Sequence, residues 1–445
     1  MKRKYIAVIQ AGGKGTRMES LTKNRIPKPM LLINGKPMLE WQIENIRDYG
    51  IKDIIIIVGH LGEIIEDYFA NGKRLGVNIS YITEKEPLGS AGSLGLINEL
   101  VENAIVPQYT DVLLVFGDVM FRIDWNRMIQ FHEKKNSKAT LLVHPNSHPY
   151  DSDLVRMDEE KRIIGIDSKT NKRDYWYDNC VNAGLYILSK QLIDRIPQTI
   201  DKCDLEQDIL RKLVCDNDAV YGYRTSEYVK DAGTPERYAM VCKEQSKGMW
   251  DSRCLDKKQK CIFLDRDGTL NVYKGLISTA DQIELEQNVA EALRMINESG
   301  YLAILITNQP VVARGMCSIN TVNIMHNKLQ VLLGKNGAYL DDIAFCPHHP
   351  DKGYPEEDVQ YKIKCNCRKP DIGLIKEMTN KYNIDLSKSW IIGDSTVDIQ
   401  TGINAHMHTI LVETGVAGKD GKYEVQADFI SKNLKEAVEK IVGGR

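Results

Sequence analysis

The sequence predicts an α/β protein of two domains, each an open, mostly parallel sheet with helices on both faces. Three observations predict it. Short apolar runs recur and end in glycine or an acidic residue, as buried parallel strands do. A second series of such runs opens far along the chain with Cys261-Ile262-Phe263-Leu264, which runs straight into Asp265 and Asp267. The chain's 445 residues are also too many for one ordinary core. The expected boundaries are 1–243 for the first domain, 244–259 for a linker or connecting helix, and 260–445 for the second domain.

Composition excludes several classes. A formal net charge of -2 gives no reason to expect a nucleic-acid or acidic-membrane surface. No apolar run approaches the ~20 residues that span a bilayer. Lys2, Arg3 and Lys4 precede an apolar stretch, Tyr5 to Ile9, too short for a signal peptide. The ten cysteines are mostly scattered singly and read as reduced thiols, not as a disulfide framework. A cytoplasmic enzyme acting on small molecules is expected, with no membrane partner and with a homo-oligomer left open.

In the first domain, Tyr5 to Ile9 reads as a buried strand that runs into Gln10-Ala11-Gly12-Gly13-Lys14-Gly15-Thr16-Arg17. Gly12 and Gly13 let backbone N–H groups approach a phosphate chain, and Lys14 and Arg17 add positive charge. The loop has neither the Gly-Lys-Ser/Thr ending of a Walker loop nor the spacing of a dinucleotide fingerprint. Lys28 sits between Pro27 and Pro29, which stiffen the segment around it. Met38 to Tyr49 has helical spacing. Asp53 to Val58 and Ile79 to Ile82 are further strands. His60 reads as a turn residue. Glu86 to Ser93 is a small-residue loop, containing Gly89, that opens a helix. Val112 to Phe116 is a fourth strand that ends in Gly117-Asp118, where a carboxylate suits a divalent cation beside phosphates. Tyr221 to Tyr223 is strand-like, and Asp231 precedes the turn Gly233-Thr234-Pro235.

The order of G-G-x-G-T-R, P-K-P, the Gly89 loop, Asp118 and Asp231 resembles the sugar-nucleotidyltransferase family over roughly residues 4–240. Gln10 departs from the leucine usual there. The resemblance implies a Rossmann-like domain in which the glycine loop covers an NTP and Lys28 contacts phosphate. It also implies that Gly89 and its neighbours receive the base and sugar, and that the stretch around Asn182 holds the acceptor sugar within an excursion over 139–188. Asp118 and Asp231 would share Mg²⁺. Two carboxylates ~4 Å apart repel by about 4 kcal/mol at an effective dielectric near 20, and a divalent cation between them reverses that sign.

In the second domain, Asp265 and Asp267 stand at the C-terminal tip of the opening strand, and Gly268 permits a sharp turn. Ile304 to Ile306 ends in Thr307 and Asn308. Arg368-Lys369-Pro370 follows, and Trp390 to Ile392 ends in Gly393-Asp394. This set resembles the haloacid dehalogenase superfamily of phosphohydrolases. The resemblance implies that Asp265 is the nucleophile and Asp267 the acid and then the base. Thr307 would hydrogen-bond the phosphoryl group, and Lys369 would neutralise its charge. Mg²⁺ would be held by Asp265, the Asp267 carbonyl and Asp394, with Asp398 orienting the lysine or a metal-bound water. Cys346, His348, Cys365 and Cys367 offer four soft ligands in two close pairs, which suits a closed tetrahedral Zn²⁺ site; His349 is the competing ligand.

That loop narrows the resemblance to the branch of heptose 1,7-bisphosphate and histidinol-phosphate phosphatases. Pro310-Val311 and Tyr273 to Leu276 depart from the heptose pattern at the substrate rim. Asn308, Arg314 and Arg368 would bind substrate, the two arginines its second phosphate. Together the halves imply a bifunctional enzyme of nucleotide-activated heptose synthesis that uses sugar phosphates and an NTP, GTP favoured. The alternative is a histidinol-phosphate-type phosphatase fused to a mannose- or glucose-1-phosphate nucleotidyltransferase.

Overall fold

The computed structural model describes residues 3–196 and 202–443. Lys2 of the basic N-terminal triplet, and Gly444 and Arg445 at the end of the second domain, lie outside these. Chain contacts divide the molecule into two compact units. One comprises Met1–Val143, Val155–Asp167 and Asn182–Cys254. The other comprises His144–Leu154, Ser168–Val181 and Leu255–Arg445.

The first unit is built on a strand that is apolar on both sides. Ile6, Ala7, Val8 and Ile9 of Tyr5–Gln10 are all buried, as expected of a strand covered on both faces. It pairs in parallel with Asp53–Val58 on one side and Asp111–Phe116 on the other. Asn78–Thr83 extends the parallel run beyond Asp53–Val58. Val181–Ser189 joins antiparallel to Asp111–Phe116. Gln10 therefore ends beside Phe116, which puts the glycine loop and Gly117-Asp118 at one sheet edge, outside the strand C-termini. A separate two-stranded ribbon pairs Val119–Arg122 with Tyr228–Asp231 and sets Asp231 opposite Val119.

The segment expected over 244–259 is helical at its start. The helix Pro235–Ser246, capped by Thr234, is followed by Met249–Ser252. Trp250 is buried, edge-on to Trp41 at 5.4 Å. The connecting-helix reading thus describes this stretch better than an open linker, because one large aromatic anchors it to the first unit's core.

In the second unit, Lys260–Leu264 lies at the centre of a six-stranded parallel sheet, between Tyr301–Asn308 and Trp390–Gly393. Alternation along the strand sends Ile262 and Leu264 into one apolar cluster and Cys261 and Phe263 into another. The first cluster is filled by Val289–Asn297, Ile319–Lys335 and Leu434–Val442, the second by Gly373–Tyr382. Helices therefore cover both faces. Parts of the excursion expected over 139–188 belong to this unit, where Leu154, Tyr177 and Val181 cluster with Val331. Among the described residues, no helix is long and apolar enough to cross a membrane.

Candidate active sites

The first site is a cavity of about 400 Å³ lined by Gly12, Gly13, Arg17, Lys28, Gly89 and Asp118, among others. That volume falls within the range usual for a small-molecule ligand. Gly13 has open space where a side chain would be, whereas a Cβ on Gly12 would stand 2.9 Å from Glu84 Oε2. Gly89 has φ +82°, and a Cβ there would meet the Cys203 carbonyl. At these glycines the cavity lining is backbone, which leaves room for a ligand to approach closely.

Lys28 is buried, and its Nζ donates to Asp118 Oδ2 at 2.6 Å. Gly117 N donates to Gln10 O, drawing the Asp118 strand tip against the glycine loop. Ala232 N donates to Asp118 O at 2.8 Å, so the backbone after Asp231 abuts Asp118. Asp231 is in turn ion-paired to Arg237, and Arg17 reaches the neighbourhood of Gly233. The backbones at the two aspartates thus run side by side, and each carboxylate faces a cation, though Asp231 itself does not line the cavity. A pair of carboxylates suits Mg²⁺, which usually takes its remaining ligands from substrate phosphates and water. Gln10 donates through Nε2 to Ser90 O, tying the first strand to the small-residue loop. Asn182 does not line the cavity; its amide donates to Tyr186 Oη and to Glu206.

The second site lies at the tip of the Lys260–Leu264 strand. Asp265, Asp394 and Asp398 bring carboxylate oxygens within 4.8 Å of one another. Lys369 Nζ, buried, donates to Asp265 Oδ1 at 2.6 Å and Asp398 Oδ1 at 2.5 Å. The Lys369 backbone is fixed by Asn308, whose side chain donates to Lys369 O and accepts from Lys369 N, each at 3.0 Å. The Asn308 amide is thus spent on placing the lysine.

Three acids around one lysine leave excess negative charge. Burial, with the Asp265 and Asp398 charges behind it, pushes Asp394 up to about 8. Burial likewise pushes Asp265 up to about 6, against the pull of Lys369. Burial opposes charge on Lys369, but Asp265 and Asp398 outweigh it and raise its proton affinity. This hard-oxygen set, short of positive charge, fits a divalent cation.

Asp267 is held apart from that group. Arg266, fully buried, donates to it from Nε and Nη2 at 2.8–3.1 Å. Asn271 Nδ2 donates at 3.1 Å. Gln309 Nε2 donates to both Asp267 Oδ2 and Thr307 Oγ1 at 3.0 Å. Sequence reasoning missed Arg266, Asn271 and Gln309. Arg266 and Gln309 adjoin residues it did single out and Asn271 lies four positions past Asp267, but nothing in a sequence shows which way those side chains turn. It also missed Glu84 and Arg237, which meet the first site only through the fold.

Cys346, His348, Cys365 and Cys367 bring their ligand atoms together. Sulfur–sulfur separations are 3.1, 3.3 and 3.5 Å, and His348 Nδ1 lies 3.3 Å from Cys367 and 3.6 Å from Cys346. A tetrahedral zinc with sulfurs at ~2.3 Å would set such atoms roughly 3.8 Å apart. Burial lowers the proton affinity of His348, which favours the neutral form a metal ligand needs. His349 faces elsewhere, accepting from Asp351 N at 3.2 Å.

Known proteins match the two regions separately. A nucleotidyl transferase family model matches residues 6–247, and a HAD-hydrolase-like model matches residues 366–437. A mannose-1-phosphate guanylyltransferase of Mycobacterium tuberculosis is 32% identical over 251 residues, covering 56% of this chain and 67% of that protein. A D-glycero-beta-D-manno-heptose-1,7-bisphosphate 7-phosphatase of Haemophilus ducreyi is 35% identical over 182 residues, covering 40% of this chain and 97% of that protein. A D-glycero-D-manno-heptose-1,7-bisphosphate 7-phosphatase of Thermosynechococcus vestitus is 38% identical over 187 residues, covering 40% and 94%. The chain belongs to the nucleotidyl transferase family through its first part and to the heptose-bisphosphate-phosphatase-like HAD hydrolases through its second, so a transferase and a hydrolase share one polypeptide.

Proposed function

We propose that the two halves act in succession on one sugar. The second removes the 7-phosphate of D-glycero-D-manno-heptose 1,7-bisphosphate. The first transfers a nucleotidyl group from an NTP, GTP favoured, to the remaining 1-phosphate. The observation that carries this is the pairing itself: a heptose-bisphosphatase relative and a sugar-1-phosphate guanylyltransferase relative are joined in one chain. Hydrolysis at C7 leaves the sugar 1-phosphate that a nucleotidyltransferase consumes. Incubating the pure chain with heptose 1,7-bisphosphate, GTP and Mg²⁺ should release inorganic phosphate and then pyrophosphate. Absence of inorganic phosphate rules the substrate out.

In the hydrolase, an Asp265 oxygen attacks phosphorus while the bond to the C7 oxygen breaks. Asp267 gives that oxygen a proton and later takes one from the water that frees phosphate. Lys369, held by Asn308 and Asp398, lowers the repulsion between Asp265 and its dianionic target. Thr307 donates to a phosphoryl oxygen, with Gln309 fixing its hydroxyl. In the transferase, a sugar phosphate oxygen attacks the α-phosphorus and pyrophosphate leaves, with no covalent protein intermediate. Glycine-loop N–H groups, Arg17 and Lys28 hold the triphosphate, so catalysis there is positioning and electrostatics. Asp118 and Asp231 in one site, and Asp265, the Asp267 carbonyl and Asp394 in the other, would hold Mg²⁺, which would supply charge neutralisation. The boundaries 1–243 and 260–445 are proposed for the two functional domains.

The raised carboxyls make cation binding pH-dependent. In the metal-free fold, Asp265 and Asp394 keep protons that the unfolded chain releases near pH 4. Their contribution is therefore full below pH 4 and is lost as pH rises through about 6 and about 8. A cation replaces those protons, so its stabilisation grows with pH. At 100 times its Kd, Mg²⁺ should add about 2.7 kcal/mol at pH 8.5, or about 5–10 °C in Tm for a domain of this size. At pH 5 the gain should be close to nil. Equal Tm shifts at both pH values count against this cation site.

The Cys346–His348–Cys365–Cys367 cluster is proposed to hold structural zinc. Elemental analysis of protein purified under reducing conditions should find one tightly held zinc per chain, and Cys367→Ser should lose it. A metal-free wild-type chain with an unchanged Tm rules it out.

A further inference from the structure

We propose that Tyr354 is a specificity-determining residue of the hydrolase site, locked in place by the buried Lys362. It rests on the reading above that the substrate carries a second phosphate. The Arg314 guanidinium lies 4.4 Å from the centre of the Tyr354 ring, and Lys362 Nζ lies 5.0 Å from the same ring. One aromatic ring therefore carries two cations, each drawn to its negative face. The Lys362 side chain is 3% exposed. Its nearest anion, Glu357 at 3.3 Å, also accepts from Gly353 N and Tyr354 N. That carboxylate thus fixes the turn bearing Tyr354 as well as facing the lysine.

The turn is seated on the loop that bears Arg314. Asp358 N donates to Ala313 O at 3.1 Å. Gly315, at φ +70°, has the Glu356 carbonyl where a Cβ would stand, so the two loops meet backbone to backbone. Arg368 is close enough to Arg314 for their charges to act on each other, and its Nη1 donates to His348 O at 3.1 Å. Arg314 Nε is buried with no hydrogen-bond partner. Like charges gathered in a half-buried place, with an unspent donor among them, are stabilised by a bound dianion. Lys369, the residue after Arg368, reaches the reacting centre, where its Nζ donates to Asp265. The phosphate that is not hydrolysed supplies that dianion, and Tyr354 is the shelf that holds Arg314 towards it.

Tyr354 is a positioning residue, so its loss raises KM and spares the chemical step. Full-length Tyr354→Leu, assayed on heptose 1,7-bisphosphate, should show a KM raised about tenfold with kcat within about twofold. Tyr354→Phe, which keeps the ring, should restore KM. The wild type should prefer the bisphosphate to p-nitrophenyl phosphate, which has one phosphate, and Tyr354→Leu should lose about tenfold of that preference. A wild type without the preference overturns the bisphosphate reading and this inference together. A wild type with it, whose Leu variant keeps both KM and preference, overturns this inference alone. So does a Leu variant whose kcat on both substrates falls in step while Phe fails to rescue.

Discussion

Asp265→Asn should abolish phosphate release, by at least about 10⁴-fold, while pyrophosphate release from GTP and heptose 1-phosphate stays within about twofold. An amide is nearly isosteric with the carboxylate but is no nucleophile, and loss of a catalytic nucleophile costs factors of this order or more. The change has a second signature. Asp265 is one of the charges that push Asp394 up, so the neutral variant should lose less stability than the wild type between pH 6 and 8.5 when metal is absent. Thermal melts across that range check it. Should both activities fall together, the proposed division into two independent catalytic domains is wrong.

Asp118→Asn should reduce nucleotidyl transfer by about 10²–10³-fold, the loss usual when one electrostatic stabiliser of a phosphoryl or acyl transition state is removed. Phosphate release should be unaffected. In the structure Asp118 faces Lys28 across 2.6 Å, so the variant removes both the proposed cation ligand and the anion that orients a buried lysine. Asparagine keeps an acceptor for that lysine, which should limit the cost to stability. Raising Mg²⁺ should recover part of the activity if weakened cation binding is the defect. Transfer retained within tenfold at low Mg²⁺ would remove Asp118 from the proposed cation pair.

The parts of this protein legible in its sequence share one property: they are set by neighbours along the chain. Apolar runs ending at Gln10, Asp118, Asp265, Thr307 and Asp394 locate strand tips, and strand tips in parallel sheets gather at one edge. The close spacing within Cys346–His348 and Cys365–Cys367 makes a cluster of candidate metal ligands legible for the same reason. The choice of His348 over His349 did not follow from spacing, because adjacent side chains differ only in the direction the backbone gives them. Arg266 shows the limit most clearly. It stands between two aspartates in a polar sequence, yet the fold buries it completely to clamp Asp267.

The sequence by itself determined the two mostly parallel sheets, the acids at their edges and the chemistry open to them, because hydrophobic period and residue type are local quantities. Only the tertiary structure decided that Asn308 spends its amide on the backbone of Lys369, that Asn182 is engaged by Tyr186 and Glu206, and that Tyr354 carries two cations. Those pairings join residues up to tens of positions apart. Their geometry depends on how loops close over packed sheets, which no local pattern encodes.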